Sequence, residues 1–136
     1  MNRHVQSPAE LTKNQSLVMS ELSKADGPLG AYAILDQLRD RGFRAPPQVY
    51  RALDKLVEFG LVHRLESLNA FVACRQPECK AHEMTTFMIC ERCGQVSELA
   101  DDKLAKRLTV LAHKAKFALT KTTIELRGTC LACQVL

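Results

Sequence analysis

The feature that most constrains this chain is a pair of Cys-x-x-Cys knuckles, Cys90-Glu91-Arg92-Cys93-Gly94 and Cys130-Leu131-Ala132-Cys133. Two such knuckles supply four thiolates, the ligand set of a tetrahedral structural zinc site. The 36 residues between them exceed the gap of a compact zinc ribbon, so the metal has to clip together two strands that flank an inserted helix and strand. This reading requires reduced thiols. The opening Met1-Asn2-Arg3-His4-Val5-Gln6-Ser7-Pro8 has no apolar run behind its arginine, and no stretch is long and apolar enough to span a bilayer. A cleaved export signal and a membrane partner are therefore not expected, and the location expected is the cytoplasm. There the six cysteines read as metal ligands or redox groups rather than disulfides. A thioredoxin-like motif wants one Cys-x-x-Cys at a helix N-terminus after a strand, and two knuckles at strand ends do not match that chemistry.

The hydrophobic pattern divides the rest of the chain. Thr12-Lys13-Asn14-Gln15 reads as a capping box opening a helix to about Ala25. Ala31, Ile34, Leu35 and Leu38 sit at helical spacing, with Gly42 in the place of a left-handed terminator. A third helix starts at Pro46-Pro47, where missing backbone donors cost nothing, and carries Val49, Leu53, Leu56 and Val57 on one face before Gly60. Leu61–Glu66 and Ala70–Cys74 then suit a β-hairpin, and three helices followed by a hairpin make a winged helix. With a two-residue turn at Leu68-Asn69, His63 falls directly opposite Cys74 on one sheet face, and a longer turn breaks that pairing. Residues 75–83, Arg75-Gln76-Pro77-Glu78-Cys79-Lys80-Ala81-His82-Glu83, break every periodicity and read as a hinge.

Beyond the hinge, strands are expected over Thr85–Cys90, Gln95–Leu99 and Thr122–Arg127, with a helix from about Asp101 to Lys116. The expected class is thus α+β: a winged-helix domain over 1–74, a hinge over 75–83, and a small zinc-stapled α/β domain over 84–136. Charge adds little. Lys plus Arg exceed Asp plus Glu by 11 to 9 in residues 1–80 and by 8 to 6 in residues 81–136, a balance that permits nucleic-acid binding without arguing for it. No Ser-His-Asp arrangement, Gly-rich phosphate loop or metalloprotease helix motif is present, so neither an enzyme nor a small-molecule substrate is expected. The polar residues Gln48, Arg51 and Lys55 lie opposite the apolar stripe of the third helix, a face that is either simply solvated or free to enter a major groove.

Four segments in this order, Pro46-Pro47-Gln48-Val49-Tyr50-Arg51-Ala52-Leu53, Gly60-Leu61-Val62-His63 and the two knuckles, resemble the ferric-uptake-regulator family from about Leu11 to Cys133. The resemblance implies a winged-helix reader of double-stranded operator DNA, a C-terminal homodimerisation domain and metal-dependent repression. By the same resemblance Arg51 is the base reader, Tyr32 and Tyr50 contact bases or backbone, Gln48 lies on the DNA-facing side, and Lys13 and Lys55 contact phosphates. The zinc-uptake branch of the family is similar in its sensing ligands, which fall here on His63, Cys74, His82 and Glu98. That implies two zinc ions per protomer, one structural and one regulatory. The iron-sensing branch has several closely spaced histidines before the first knuckle, whereas Ala81-His82-Glu83-Met84-Thr85-Thr86 has one.

The sequence also departs from the family. The Pro-Gln-Arg near the first helix is replaced by Asn14-Gln15-Ser16, which implies one basic contact fewer. Cys79 is an additional hinge thiol, read either as an exposed loop cysteine or as a substitute ligand near His82. The rival readings are a family member that senses iron, manganese or peroxide, a thiol redox protein, and a zinc-stapled interaction module without a DNA site.

Overall fold

The computed structural model describes residues 11–75 and 84–135, and the chain divides into two compact units, residues 1–80 and 81–136. In the first unit, helix α1 (Lys13–Lys24) opens on the expected capping box. Thr12 Oγ1 accepts from the Gln15 amide at 3.1 Å, and Gln15 Oε1 accepts from the Thr12 amide at 3.1 Å. Two of the four amides that a helix start leaves without partners are thereby satisfied. Helix α2 (Ala31–Leu38) tightens into a 3-10 turn (Arg39–Arg41) that ends at Gly42 with φ 100°, a left-handed conformation that glycine adopts without a side-chain clash. Helix α3 (Pro46–Glu58) begins on its two prolines. The apolar faces of the three helices meet in a core of Val18, Leu22, Ile34, Leu35, Leu38, Phe43, Val49, Leu53 and Leu56, closed by Val62 and Phe71.

Strands β1 (Val62–Leu65) and β2 (Ala70–Ala73) form the wing. The hairpin differs from the expectation. Its loop is Glu66-Ser67-Leu68-Asn69, four residues with Asn69 at φ 48°, so Leu65 pairs with Ala70 and His63 pairs with Val72 rather than with Cys74. Leu68 and Asn69 donate back to the Leu65 and Glu66 carbonyls at 3.3 Å each, the turn chemistry that selects the longer loop. His63 and Cys74 are consequently diagonal neighbours on one face, the Cys74 amide being bonded to the Leu61 carbonyl at 2.9 Å. Leu29, unforeseen as a sheet residue, bridges Phe71 in antiparallel fashion.

In the second unit, β3 (Met84–Cys90) is the central strand of a three-stranded sheet in the order β4-β3-β5. It pairs antiparallel with β4 (Val96–Leu99) and parallel with β5 (Thr122–Gly128). A parallel neighbour cannot be reached by a tight turn, and helix α4 (Asp102–Lys114) supplies the crossover. Asp101 caps it, its Oδ1 accepting from the Lys103 and Leu104 amides at 2.9 and 3.1 Å. A four-residue helix α5 (Leu131–Gln134), absent from the sequence expectation, follows β5. It corrects the placing of the second knuckle at a strand end, because Cys130 is the N-cap of α5.

Candidate metal centre and nucleic-acid face

The parallel register of β3 with β5 sets Cys90 beside Gly128, so the chain leaves two neighbouring strands at the same level and each exit carries a knuckle. After β3 the backbone turns back on itself. Gly94 sits at φ 79°, its amide donates to the Cys90 carbonyl at 2.9 Å, and the Cys90 amide donates to Gln95 O at 2.9 Å. After β5 the chain enters α5, which carries Cys133 one turn beyond Cys130. The two exits are also tied by the Glu91 amide on Gly128 O at 2.8 Å.

The ligand atoms of Cys90, Cys93, Cys130 and Cys133 all lie within 4.8 Å of one another, and Cys93 Sγ is 3.8 Å from Cys130 Sγ. A tetrahedron of sulfurs about 2.3 Å from a zinc ion has edges of about 3.8 Å. The donors therefore fit zinc in both number and spacing. The thiols are not equivalent. Cys90 Sγ accepts from the Cys130 amide at 3.3 Å and the Cys93 amide at 3.5 Å. Those two donors, the Cys130 amide first, stabilise its thiolate and lower its pKa from the ordinary 9.0 to about 6. Cys133 is pushed up to about 12, chiefly by its contact with the Cys130 thiol and then by burial and the remaining sulfurs. The two backbone donors thus favour the thiolate form at Cys90, the form that binds metal.

A second donor group lies on the wing. His63 on β1 and Cys74 just after β2 are half-buried, and their ligand atoms approach within 4.8 Å. Contrary to the expectation that the cysteines are reduced, the Cys74 sulfur is disulfide-bonded in this structure, so it can serve as a thiolate ligand only after reduction. Glu98, also half-buried, stands on β4 of the second unit opposite Phe87. His82 and Cys79 lie outside the described residues, as does the hinge apart from Arg75.

The exposed face of α3 carries Arg51 and Lys55. A shallow groove of about 470 Å³ runs beside them, walled by Gln15 and Asn14 of α1 and by Gln48, Asp54 and Glu58 of α3. Three side chains assigned here have other engagements. Gln48 Oε1 accepts from the Arg44 and Ala45 amides at 2.6 and 3.1 Å, holding the start of α3. Lys55 is paired with Glu58 at 3.7 Å, both more than half exposed, an arrangement worth little in water. Tyr50 packs against the core, whereas Tyr32 is 66% exposed on α2 and Lys13 is exposed at the first position of α1. Sequence reasoning missed Asn14 and Gln15 as groove walls. The capping box was the available signal, since it fixes where the start of α1 points.

Comparison with known proteins places these features in a wider set. The model of the ferric uptake regulator family matches residues 10–127. The zinc uptake regulation protein of Escherichia coli K12 is 42% identical over 124 residues, which cover 90% of this chain and 72% of that protein. Among solved structures, a zinc uptake regulator complexed with zinc and DNA superposes with a TM-score of 0.86 at 38% identity, covering 93% of this chain and 84% of that one. The holo form of XcZur superposes with a TM-score of 0.84 at 40% identity, covering 93% of this chain and 87% of that one.

Proposed function

The chain belongs to the ferric uptake regulator family, and on that footing we propose that it is a zinc-responsive transcriptional repressor that binds operator DNA as a homodimer and represses zinc-uptake genes. The observation that carries the choice of zinc is the wing's pairing of an imidazole with a sulfur within 4.8 Å. A thiolate donor favours zinc over the harder cations, which prefer oxygen ligands. Two relatives support the same choice, a zinc uptake regulation protein by sequence and a zinc uptake regulator complexed with zinc and DNA by structure. The reading involves no catalysis. It places the protein in the cytoplasm, where DNA and reduced thiols coexist; among the described residues no helix is long and apolar enough to cross a membrane.

In this proposal each protomer holds two zinc ions. Cys90, Cys93, Cys130 and Cys133 hold the structural one, and His63, Cys74, His82 and Glu98 hold the regulatory one. Zinc supplies a borderline-soft dication that gathers thiolate, imidazole and carboxylate donors into a tetrahedral set. Residues 1–74 read DNA, 75–83 form the hinge and 84–136 dimerise. Donors drawn from wing, hinge and β4 select one orientation of the reading domains, and in a dimer that orientation sets the spacing of the two α3 helices along the duplex. Arg51 reads a base edge, Tyr32, Tyr50 and Gln48 line the contact, and Lys13 and Lys55 meet phosphates.

The test is operator binding followed by fluorescence anisotropy across a buffered zinc series with reductant present, metal content being measured in parallel. Reduced Cys74→Ser is expected to fold and dimerise but to lose zinc-dependent binding, while Cys79→Ser keeps it. A response to iron or manganese at concentrations where zinc has no effect would replace zinc as the sensed metal. Loss of the response in Cys79→Ser but not in Cys74→Ser would put the hinge cysteine in the ligand set.

A further inference from the structure

The two knuckles are held unequally. The first is fastened on both sides, by the Cys90 amide on Gln95 O at 2.9 Å and the Glu91 amide on Gly128 O at 2.8 Å. The second is fastened at its start, where the Cys130 amide donates to Cys90 Sγ at 3.3 Å and Gln134 Nε2 holds the Thr129 carbonyl at 2.8 Å. Cys133, at the far end of the second knuckle, sits in a helix of four residues that buries none of them, and its amide bonds only locally, to Cys130 O at 3.0 Å. One side chain reaches across to this end. Arg92, between the two cysteines of the first knuckle, donates from Nη1 to the Cys133 carbonyl at 3.3 Å.

The geometry points to Arg92 as the positioning residue that holds Cys133 in the four-sulfur cluster and so slows loss of the structural metal. Two physical effects act together. The carbonyls at the end of a short helix lack intrahelical partners and carry partial negative charge, which a guanidinium satisfies. A dication held by four thiolates also carries a net charge of about −2, and Arg92 places a fixed cation in the knuckle beside it. Without Arg92 no hydrogen bond among the described residues ties the backbone of Cys133 to the first knuckle, and dissociation begins there.

The inference rests on the four-thiolate reading of the metal centre, and the experiment separates the two. In the zinc-loaded chain with Cys74→Ser as background, so that one zinc is followed, release to excess chelator is timed by a colorimetric zinc indicator. Arg92→Ala is expected to release zinc about tenfold faster, the scale on which partners of metal ligands act, with unchanged circular dichroism and initial zinc content. Arg92→Lys restores part of the retention through charge and one donor, and Arg92→Gln separates the bond from the charge. Alkylation stopped early in release, read by mass spectrometry, should label Cys133 first. Release from Arg92→Ala at the background rate, or first labelling at Cys93, overturns the inference. If Arg92→Ala fails to load zinc, Arg92→Gln carries the same test. Absence of stoichiometric zinc from the background protein itself would instead overturn the four-thiolate reading.

Discussion

The two units solve the problem of a small fold in opposite ways. The first builds a conventional core, with Val18, Ile34, Val49, Leu53 and Leu56 fully buried where its three helices meet. The second has the same kinds of elements and hardly any core of its own. Helix α4 buries none of its 13 residues, and Met88, Leu104, Val110, Leu111, Phe117 and Leu126 are all exposed. A small domain buries a smaller fraction of its surface and is marginal on packing, so a metal or oligomerisation adds what a sparse core lacks. The exposed apolar side chains match the dimerising role proposed for this unit, and the four clustered thiols match the metal staple proposed for it. On the proposed reading, stability is held in the first unit by side-chain packing and in the second by ligation and assembly, so mutations should separate the two.

The largest effect is expected from Cys93→Ser. Structural zinc contributes on the order of 10 kcal/mol to a small fold, and three thiolates with a hydroxyl do not replace four. The second unit should lose its structure and the protein its dimer, while the first unit keeps its helical circular dichroism. Native folding and dimerisation of this variant by sedimentation would break the comparison. The mirror experiment is Leu53→Ala in the first unit, where deleting a fully buried leucine costs roughly 2–5 kcal/mol through lost transfer energy and the cavity left behind. DNA binding should fall with the melting of the first unit, but zinc held by the four cysteines should remain. Metal analysis beside thermal denaturation decides, and loss of that zinc in Leu53→Ala would mean the units are not energetically separate.

Arg51→Ala sharpens the comparison from the side of function. Its side chain is exposed on α3, so neither unit should lose stability, yet specific DNA binding should weaken by roughly 1–3 kcal/mol with relaxed sequence preference, as when a bidentate base contact is lost. Gel-shift titration at fixed salt against operator and random duplexes checks this. Equal weakening on both would make Arg51 a phosphate contact.

The same contrast explains what could be read from the sequence. The first unit was legible almost to the residue at α1 and α3, because caps, prolines and helical apolar spacing are local signals that its packing then uses. A misreading there was the wing, where a two-residue turn was expected and Asn69 in a left-handed conformation instead closes a four-residue loop, shifting His63 from Cys74 to Val72. Turn length is set by backbone conformation that the residue types around Leu68 leave open. The four-cysteine cluster was legible because ligand spacing states chemistry directly. The parallel pairing of β3 with β5 and the reach of Arg92 to Cys133 were not, since each depends on partners about 40 positions away in the chain, and the four-residue α5 is too short to leave a periodic signal.

The smallest effect expected is that of Thr12→Ala, and it tests how local the stability of the first unit is. Thr12 Oγ1 satisfies the Gln15 amide while the Gln15 side chain satisfies the Thr12 amide. Alanine removes the first of these bonds and leaves the backbone free to keep the second. Losing an N-cap hydroxyl typically costs about 1 kcal/mol, which should appear as a few degrees' decrease in the melting of the first unit. Thr12 also lines the groove beside Arg51, so fraying of α1 there should weaken operator binding in step with stability. Serine at this position keeps the acceptor and should restore both, whereas zinc retention by the four cysteines should be the same in all three proteins. If Thr12→Ala lowered operator affinity while the melting temperature stayed at the wild-type value, Thr12 would be a contact to DNA in its own right, and the start of α1 would belong to the reading surface as well as to the scaffold that holds it.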